Sequence, residues 1–348
     1  MNADVTAYVS SKDRYFTTLP TCIMSIINQT VKPQKFVLFL DGEKIDLRNN
    51  ELYLGLFKLL DYYKIEWEVI FGEGKGQVLN HQKIIEIAKT EWIWRVDDDC
   101  FPETNVLETL FRYVDHIGAI AGLVIDPNNI KLLPDDVDGK IENIYNGQNV
   151  QWYLHKDDFC IEVDHLYSTF LYRKSAAKHG YCSELSPVGH REETIFTHQM
   201  KRNGFKLLVN PKCITWHCRQ SQGGIRSYNN KEYYDADEKV FATKMNEWKI
   251  KTNTNKSHLI LLNSGMGDHL MFKQILPEVK AKYPDLILSV CYNEVFEDCG
   301  VKLISIQDGI NQLASQGRSP DEFDLYKWCW QNNWKGHFID AMRQMYLK

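Results

Sequence analysis

The sequence predicts an α/β protein in which a mixed sheet lies between layers of helices and a smaller α/β module follows. Three observations predict this class. Short apolar runs alternate with helix-period segments along the first two thirds of the chain, the order typical of a mostly parallel sheet covered by helices. A polar stretch poor in large apolar residues interrupts the pattern at 249–257. A fresh strand, glycine turn and helix follow it, which indicates a second folding unit.

Composition excludes several functional classes. The 348 residues are 44% hydrophobic and 25% charged, which argues against wholesale disorder. The net charge of -5 does not favour binding to nucleic acid or to an anionic membrane. No apolar run reaches the roughly 18 residues that span a bilayer, and no signal peptide pattern opens the chain. The nine irregularly spaced cysteines are typical of a reducing compartment, so we expect a cytoplasmic protein without a membrane span.

The N-terminal third carries four strand patterns and three helix patterns. Apolar runs predict strands at 5–9, 35–40, 65–71 and 92–96, and helix-period spacing predicts helices at 19–27, 52–63 and 79–88. Asp41 follows the second strand, and Asp97, Asp98 and Asp99 follow the fourth. Ligands of such sheets gather outside the carboxyl ends of the strands, so these aspartates are the first site candidates.

The rest of the chain is less regular. A polar, acidic stretch at 128–158 is long for a loop, which is typical of a functional or mobile segment. We then expect strands at 161–163, 168–173 and 206–209, a helix at 193–203, and in the tail strands at 258–262 and 286–290 around a helix ending at Lys282. The predicted organisation is a domain at 1–248, a linker at 249–257 and an accessory domain at 258–348.

The three adjacent aspartates are difficult to explain without a cation. At an effective dielectric near 20, two like charges about 4 Å apart cost roughly 4 kcal/mol. A divalent ion would neutralise them, and oxygen ligands suit Mg²⁺ or Mn²⁺, which also bind diphosphates. A solvated acidic turn is the alternative.

Two further elements are candidates. His217 follows a strand and is either an ordinary structural histidine or an additional ligand beside the carboxylates. Glu192 and Glu193 open a predicted helix, where they either interact with the helix dipole or supply a general base near an acceptor hydroxyl.

Taken in order, these segments resemble the family-2 glycosyltransferases of GT-A fold over residues 1–228. The matching motifs are VTAYVSSKDR at 5–14, SIINQTVKP at 25–33, LFLDG at 38–42, NHQKIIEIAKTEWIW at 80–94, DDDCFPE at 97–103, REET at 191–194, KRNGF at 201–205 and WH at 216–217. The ordered set is specific, although no single motif is.

The resemblance implies inverting transfer of a sugar from a nucleotide-diphosphate donor, most often a UDP-sugar, to an acceptor hydroxyl such as that of a glycan. It implies an Mn²⁺ or Mg²⁺ ion held by Asp99 and His217, with Asp97 on the ion or on the ribose. Glu193 stands where the catalytic aspartate of the family usually stands, with Glu192 as the second choice for the base. A glutamate there reaches about one methylene further.

The resemblance also implies a nucleotide pocket. Its expected residues are Ser10 or Lys12, Asp41, Asn80, Asp97 and Asp98. Arg219 and Arg226 are either diphosphate clamps on a closing lid or ordinary surface arginines. The Gln-x-x-Arg-Trp signature of processive members is missing, because Asn203 follows Gln199-Met-Lys-Arg202, so transfer of a single sugar is favoured.

The tail resembles the start of a heptosyltransferase-type GT-B domain, with LLNSGMGDHL at 261–270 and YPD at 283–285. Only about ninety residues follow, far fewer than that fold needs. We therefore expect an accessory module that packs on the catalytic domain, forms a homodimer or helps to bind the acceptor. Trp328, Trp330 and Trp334 give it an aromatic patch for packing or for stacking on a sugar or base.

Two rival functions stay open at this point. The same chemistry on a hydroxymethylated DNA base fits the fold, although the acidic net charge disfavours DNA. A non-catalytic nucleotide-sugar-binding scaffold would bind the donor without turnover, and the acidic triplet, Glu193 and His217 together argue against it.

Overall fold

The computed structural model describes residues 2–113, 117–133, 144, 149–156, 159–219, 222–224, 231–248, 258–284, 286–315 and 319–347. The chain divides into two compact units, 1–249 and 250–348. The predicted linker at 249–257 lies outside the described residues, so its bounds stay a prediction.

The first unit is built around a nine-stranded mixed sheet. Its strands are β1 (Ala3–Ser11), β2 (Pro33–Leu40), β3 (Glu66–Phe71), β4 (Trp92–Arg95), β5 (Cys100–Pro102), β6 (Ile117–Ile125), β7 (Ile161–Glu162), β8 (Phe170–Arg173) and β9 (Lys206–His217). They run in the order β3-β2-β1-β4-β8-β6-β9-β5, and β7 pairs with β9. The pairs among β1 to β4 are parallel, as the sequence pattern predicts, whereas β8 pairs antiparallel with β4 and β6.

Helices cover this sheet on both faces. They are α1 (Leu19–Ile27), α2 (Glu51–Tyr62), α3 (Gln77–Ile87), α4 (Val106–Phe111), α5 (Glu192–Arg202) and α6 (Lys231–Glu247). Two separate clusters of buried apolar side chains lie in this unit, one including Val9 and Trp94 and the other Tyr8 and Ile93. Successive side chains along a strand point to opposite faces of the sheet. Since an apolar cluster covers each face, both sets of side chains on β1 and β4 are apolar, which explains their continuous apolar runs.

Strand β9 differs from the prediction. We expect a strand at 206–209, but β9 continues to His217 through Pro211. Its register with β6 shifts between Ala121 and Leu123, which pair with Val209 and Ile214. Pro211 lies in that irregular stretch, where a proline is tolerated because the ladder hydrogen bonds are interrupted.

The extended β9 explains the position of the late histidine. Strand β5 follows the acidic triplet directly and pairs antiparallel with β9, with Cys100 opposite His217. The backbone N–H of Cys218 also donates to the carbonyl of Asp99 at 2.9 Å. Residues more than a hundred positions apart therefore meet at the carboxyl end of β4.

The second unit has its own core. Strands β10 (Leu259–Leu262), β11 (Ile287–Val290) and β12 (Lys302–Ile304) form a parallel sheet in that order. The helices are α7 (Met266–Lys282), α8 (Ile306–Ser315), α9 (Leu325–Gln331) and α10 (Phe338–Leu347). The expected strand, glycine turn and helix are confirmed as β10 and α7. Within the described parts of both units, no helix is long and apolar enough to cross a membrane.

Candidate functional site

A cavity of about 420 Å³ opens in the first unit at the carboxyl ends of β1, β2 and β4. It brings together most of the residues that the sequence indicates. Those lining it are Ser10, Lys12, Asp41, Asp97, Asp98, Asp99, Glu192, Glu193, His217 and Arg219. Asn80 lies behind the wall, where its side-chain amide donates to the Ser10 hydroxyl at 3.0 Å. Arg226 lies outside the described residues.

Arg14, which the sequence analysis did not select, holds two of the three aspartates together. Its guanidinium lies 2.6 Å from a carboxylate oxygen of Asp98 and 2.9 Å from one of Asp99. The Ser11 hydroxyl donates to the other oxygen of Asp98 at 2.7 Å. Burial raises the pKa of Asp98 to about 6, against the opposing effect of the Arg14 charge. Asp98 therefore acts within the protein, through Arg14 and Ser11, as well as bordering the cavity.

Asp97 is the most open member of the triplet, with 26% of its side chain exposed. One carboxylate oxygen accepts from two nitrogens of Arg95 at 3.2 Å each, and the other accepts from the Ser168 hydroxyl at 2.8 Å. These donors orient the carboxylate and leave part of it open to the cavity. The geometry suits a group that contacts a ribose or an ion.

Asp99 and His217 form the best candidate for a cation site. A carboxylate oxygen of Asp99 lies 3.3 Å from the His217 Nε2. Ligand atoms of Asp99, Cys100 and His217 all lie within 4.8 Å of one another. Two adjacent ligands each about 2.1 Å from an Mg²⁺ or Mn²⁺ ion lie about 3 Å apart in octahedral coordination, so the Asp99–His217 spacing fits such an ion.

The two glutamates at the start of α5 have different surroundings. Glu192 is fully buried and lies 2.6 Å from a guanidinium nitrogen of Arg95. Burial raises the pKa of Glu192, and the Arg95 charge opposes the rise. Glu193 is only partly buried and also borders the cavity. Burial, followed by the negative charge of Glu193, raises the pKa of Tyr167, which also borders the cavity.

Asp41 is anchored to the glycine-rich turn that the sequence shows at 72–76. Its carboxylate oxygens accept from the backbone N–H groups of Gly74 at 3.1 Å and Gly76 at 3.0 Å. Gly76 has a φ of 101°, and a Cβ there would lie 2.3 Å from the carbonyl oxygen of Pro187. Only glycine fits this position, and the turn thereby fixes the Asp41 carboxylate at the cavity wall.

The segment after His217 returns toward β1. The N–H of Gly224 donates to the carbonyl of Lys12 at 2.8 Å, and Arg14 Nε donates to the carbonyl of Gln222 at 3.3 Å. Arg219 borders the cavity with half of its side chain exposed, and its Nε lies 3.7 Å from Asp126. An exposed, loosely paired arginine beside the acidic triplet is consistent with both expected roles, a diphosphate clamp and an ordinary surface arginine.

An aromatic wall, made of Trp152 from the irregular segment and Tyr167 beyond it, also borders the cavity. Their ring centroids lie 5.3 Å apart at 83°. The fully buried Gln151 connects them: its side chain donates to the Gly122 carbonyl at 3.0 Å and accepts from the Tyr167 N–H at 2.8 Å. Part of the stretch predicted to be a functional or mobile loop is thus fixed to the sheet.

Sequence reasoning missed Arg14, Arg95 and the aromatic wall. A signal existed for Arg95, since an arginine inside the apolar run Trp92-Ile-Trp-Arg-Val96 must find a buried partner. Arg14 ends a polar loop, where nothing in one sequence marks it as buried.

Comparison with known proteins agrees with this fold. Residues 6–176 match the model of the family described as Glycosyl transferase family 2. No curated protein sequence matches the chain. The family match covers just under half of the chain and, together with the fold, shows a first unit of GT-A type that is similar to the family-2 glycosyltransferases. The match ends before the second unit, and the heptosyltransferase resemblance of the tail stays a prediction.

Solved structures with similar folds include three glycosyltransferases. The structure of GalNAc-T7 with UDP, GalNAc and Mn²⁺ has a TM-score of 0.53 and 14% identity, covering 91% of this chain and 58% of that chain. Staphylococcus aureus TarS 1–349 with UDP-GlcNAc has a TM-score of 0.48, 14% identity, and coverages of 97% and 93%. Mannosyltransferase PcManGT from Pyrobaculum calidifontis with GDP-Man and Mn²⁺ has a TM-score of 0.43, 10% identity, and coverages of 62% and 57%. The chain thus spans little more than half the length of GalNAc-T7, and at 14% identity the likeness to that structure shows the fold alone.

Proposed function

We propose that this protein transfers one sugar from a nucleotide-diphosphate donor, a UDP-sugar, to a hydroxyl group of a glycan, with inversion at the sugar carbon. The observation that carries the proposal is the 3.3 Å approach of Asp99 to His217 at one wall of a cavity that Glu193 also borders. A cation site and a partly exposed carboxylate in one cavity are the two parts that metal-assisted, single-displacement transfer needs.

Asp99 and His217 would hold an Mn²⁺ or Mg²⁺ ion, with Asp97 beside them. When bound, the ion supplies positive charge that stabilises the departing diphosphate. Mn²⁺ accompanies the nucleotide sugars or their parts in the GalNAc-T7 and PcManGT structures, which supports this choice. Arg14 keeps Asp98 and Asp99 oriented by a buried charge, so the acidic triplet does not need an ion to fold.

The donor would lie between the glycine-rich turn and the acidic triplet. Asp41 and Ser10 border this side of the cavity, and Lys12 adds a positive charge there. Arg219 lies past His217 with its side chain half exposed, where it can reach a phosphate by a modest rotation. In this arrangement the nucleotide binds along the carboxyl ends of the parallel strands.

Glu193 is the proposed general base. Glu192 is fully buried and paired with Arg95, so it cannot approach an acceptor hydroxyl without breaking that ion pair. Glu193 is partly exposed at the cavity and can accept the proton as the hydroxyl attacks the sugar carbon. The open choice between the two glutamates is therefore best decided in favour of Glu193.

The acceptor would bind against the aromatic wall. The Tyr167 ring lies beside His217, with ring centroids 6.2 Å apart, and Trp152 packs against Tyr167. Aromatic rings offer large apolar faces with polar edges, which suits the mixed faces of a pyranose ring better than a phosphate backbone. This placement supports a glycan acceptor over duplex DNA.

The test is a UDP-release screen across donor sugars and glycan acceptors, with Mn²⁺ and with chelator. We expect release that requires Mn²⁺ and rises when the right acceptor is added. Glu193→Gln should keep donor binding and lose at least about 100-fold in transfer, the range of general base catalysis. If Glu192→Gln alone shows that pattern, Glu192 is the base. If the wild-type protein binds the donor but never turns it over, the result favours a non-catalytic nucleotide-sugar-binding scaffold.

A further inference from the structure

A buried charge pair, Arg95 and Glu192, borders the cavity between the acidic triplet and α5. The Arg95 side chain is 2% exposed and that of Glu192 is 0% exposed. The Nη1 of Arg95 lies 2.6 Å from Glu192, while its Nε and Nη2 lie 3.2 Å from the same oxygen of Asp97. One guanidinium therefore joins the carboxyl end of β4 to the first turn of α5.

The surroundings hold this guanidinium in place. Its Cζ lies 5.5 Å from the ring centroid of Phe170 on the neighbouring strand. His81 of α3 approaches the Glu192 carboxylate at 3.7 Å and pairs with the Tyr8 hydroxyl at 3.0 Å. Burial lowers the pKa of Arg95, but the charges of Glu192 and Asp97 raise it well above the ordinary value, so Arg95 stays charged.

Stability does not explain such a pair. Removing two charges from water costs about as much free energy as their attraction returns, and an apolar pair of the same volume is often as stable. A guanidinium between two carboxylates does something that an apolar pair does not: it holds both at a set distance from one group, Glu192 by an ion pair and Asp97 by two hydrogen bonds.

We propose that Arg95 is a positioning residue that, through Glu192, fixes Glu193 at a set distance from Asp97 and the cation site. Glu193 follows Glu192 directly in α5, so an anchored Glu192 determines where the Glu193 carboxylate points into the cavity. This inference rests on the proposed function, because it assigns Arg95 a role in aligning the base with the donor. Arg95 borders the cavity but is only 2% exposed, and its Nε, Nη1 and Nη2 lie against Asp97 and Glu192.

The decisive variant is Arg95→Met combined with Glu192→Met, which removes both charges and leaves apolar side chains of similar volume. We expect a folded protein with a melting temperature within a few degrees of wild type. We expect kcat to fall about 10- to 100-fold, since a misplacement of about 1 Å costs roughly that much. The KM for the UDP-sugar should change less than about threefold, because the Ser168 hydroxyl still holds the Asp97 carboxylate. Mn²⁺ affinity in the presence of UDP, measured by EPR of the free ion, should be retained for the same reason.

Two further variants complete the test. Arg95→Lys keeps the charge and loses the fork, so we expect an intermediate loss of kcat with the same KM. Arg173→Lys on β8 is the matched control, because Arg173 packs on Trp92 outside the cavity and should keep wild-type kcat. If the double variant does not fold, the kcat of Arg95→Lys decides whether Arg95 has the positioning role.

The outcomes separate this inference from the proposed function. A kcat within twofold of wild type in the folded double variant, or in Arg95→Lys if only that folds, would overturn the positioning role and leave the proposed function standing. A loss confined to the donor KM or to Mn²⁺ binding would also overturn it, since Arg95 would then act on the donor side. A wild-type protein without Mn²⁺-dependent UDP release would overturn both.

Discussion

Arg14 shows how three adjacent aspartates can coexist in one loop. Its guanidinium lies within 3 Å of Asp98 and Asp99, at 2.6 and 2.9 Å, with only 6% of its side chain exposed. Arg95 does the same for Asp97 from the other side. The repulsion that the sequence suggests is thus offset inside the protein, and the electrostatic argument for an ion rests on Asp99 and His217 alone.

Burial of His198 makes stability depend on pH. The His198 Nδ1–H donates to the Asp164 carbonyl at 2.8 Å, and burial lowers the pKa of the imidazole below 6.5. Between the two pKa values the unfolded chain binds a proton that the folded protein does not, so the free energy of unfolding falls as the pH drops below about 6.5. Urea unfolding at about pH 7.5 and about pH 5.5 should show a larger loss for wild type than for His198→Gln. Equal losses of unfolding free energy in wild type and His198→Gln would show that His198 has the same pKa in the folded and unfolded states.

At the scale of elements, a pair of buried amides fixes the acceptor side of the cavity. Asn149 accepts from the Gln151 N–H at 2.9 Å and donates to the His165 carbonyl at 2.6 Å. Gln151 in turn joins β6 to the backbone of Tyr167. A short segment without a regular apolar pattern is therefore held in place by buried hydrogen bonds, together with Val150 in the apolar core.

Removing this connection should weaken both stability and acceptor binding. Gln151→Ala leaves the Gly122 carbonyl and the Tyr167 N–H buried without their partner, which costs about 2 to 4 kcal/mol of unfolding free energy. We expect the acceptor KM to rise while the donor KM is retained, measured by urea unfolding and steady-state kinetics. Gln307→Ala, on an exposed helix face of the second unit, is the control and should change stability by less than about 0.5 kcal/mol. A rise in the donor KM alone would contradict the assignment of the aromatic wall to the acceptor.

The elements predicted from sequence are those with strong local patterns. Helix α1 begins and ends at the expected residues, Leu19 and Ile27, because its apolar spacing is regular. The continuation of β9 through Pro211 was missed, because whether a strand tolerates proline depends on its partner strand. Antiparallel β5 and β8 likewise depend on pairing between distant segments, which one sequence does not display.

The site shows the same difference between what local sequence patterns predict and what depends on tertiary contacts. Aspartates at strand ends were identified because carboxyl ends converge in any parallel sheet. Buried partners such as Arg95 and Gln151 depend on tertiary contacts, so the ion pair that disfavours Glu192 as the base could be found only in the structure.

At the scale of the whole molecule, the two compact units have separate apolar cores. Leu171 on β8 is fully buried in the first unit, and Leu288 on β11 is fully buried in the second. The candidate site lies within the first unit. Because the cores are separate, we expect that a destabilising substitution in the core of the second unit leaves the activity of the first unit unchanged.

Two leucine variants test this independence. Leu288→Ala should lower the stability of the second unit by about 2 to 5 kcal/mol and leave UDP release at the wild-type rate. Leu171→Ala should destabilise the first unit by a similar amount. The first unit is recognised as the one whose melting temperature rises when UDP and Mn²⁺ are added. Calorimetry with and without UDP and Mn²⁺ distinguishes the two transitions. A loss of UDP release in Leu288→Ala equal to that in Leu171→Ala would show that the units depend on each other.

The most direct measurement is Mn²⁺-dependent UDP release by Asp99→Ala beside wild type, with Mn²⁺ binding followed by EPR. Asp99 offers the carboxylate that lies 3.3 Å from His217, so its removal should abolish Mn²⁺ binding in the presence of UDP and reduce turnover to background, with an unchanged circular dichroism spectrum. Glu66→Ala, an exposed acid on β3, should match wild type. Wild-type Mn²⁺ affinity and turnover in folded Asp99→Ala would contradict the proposed cation site.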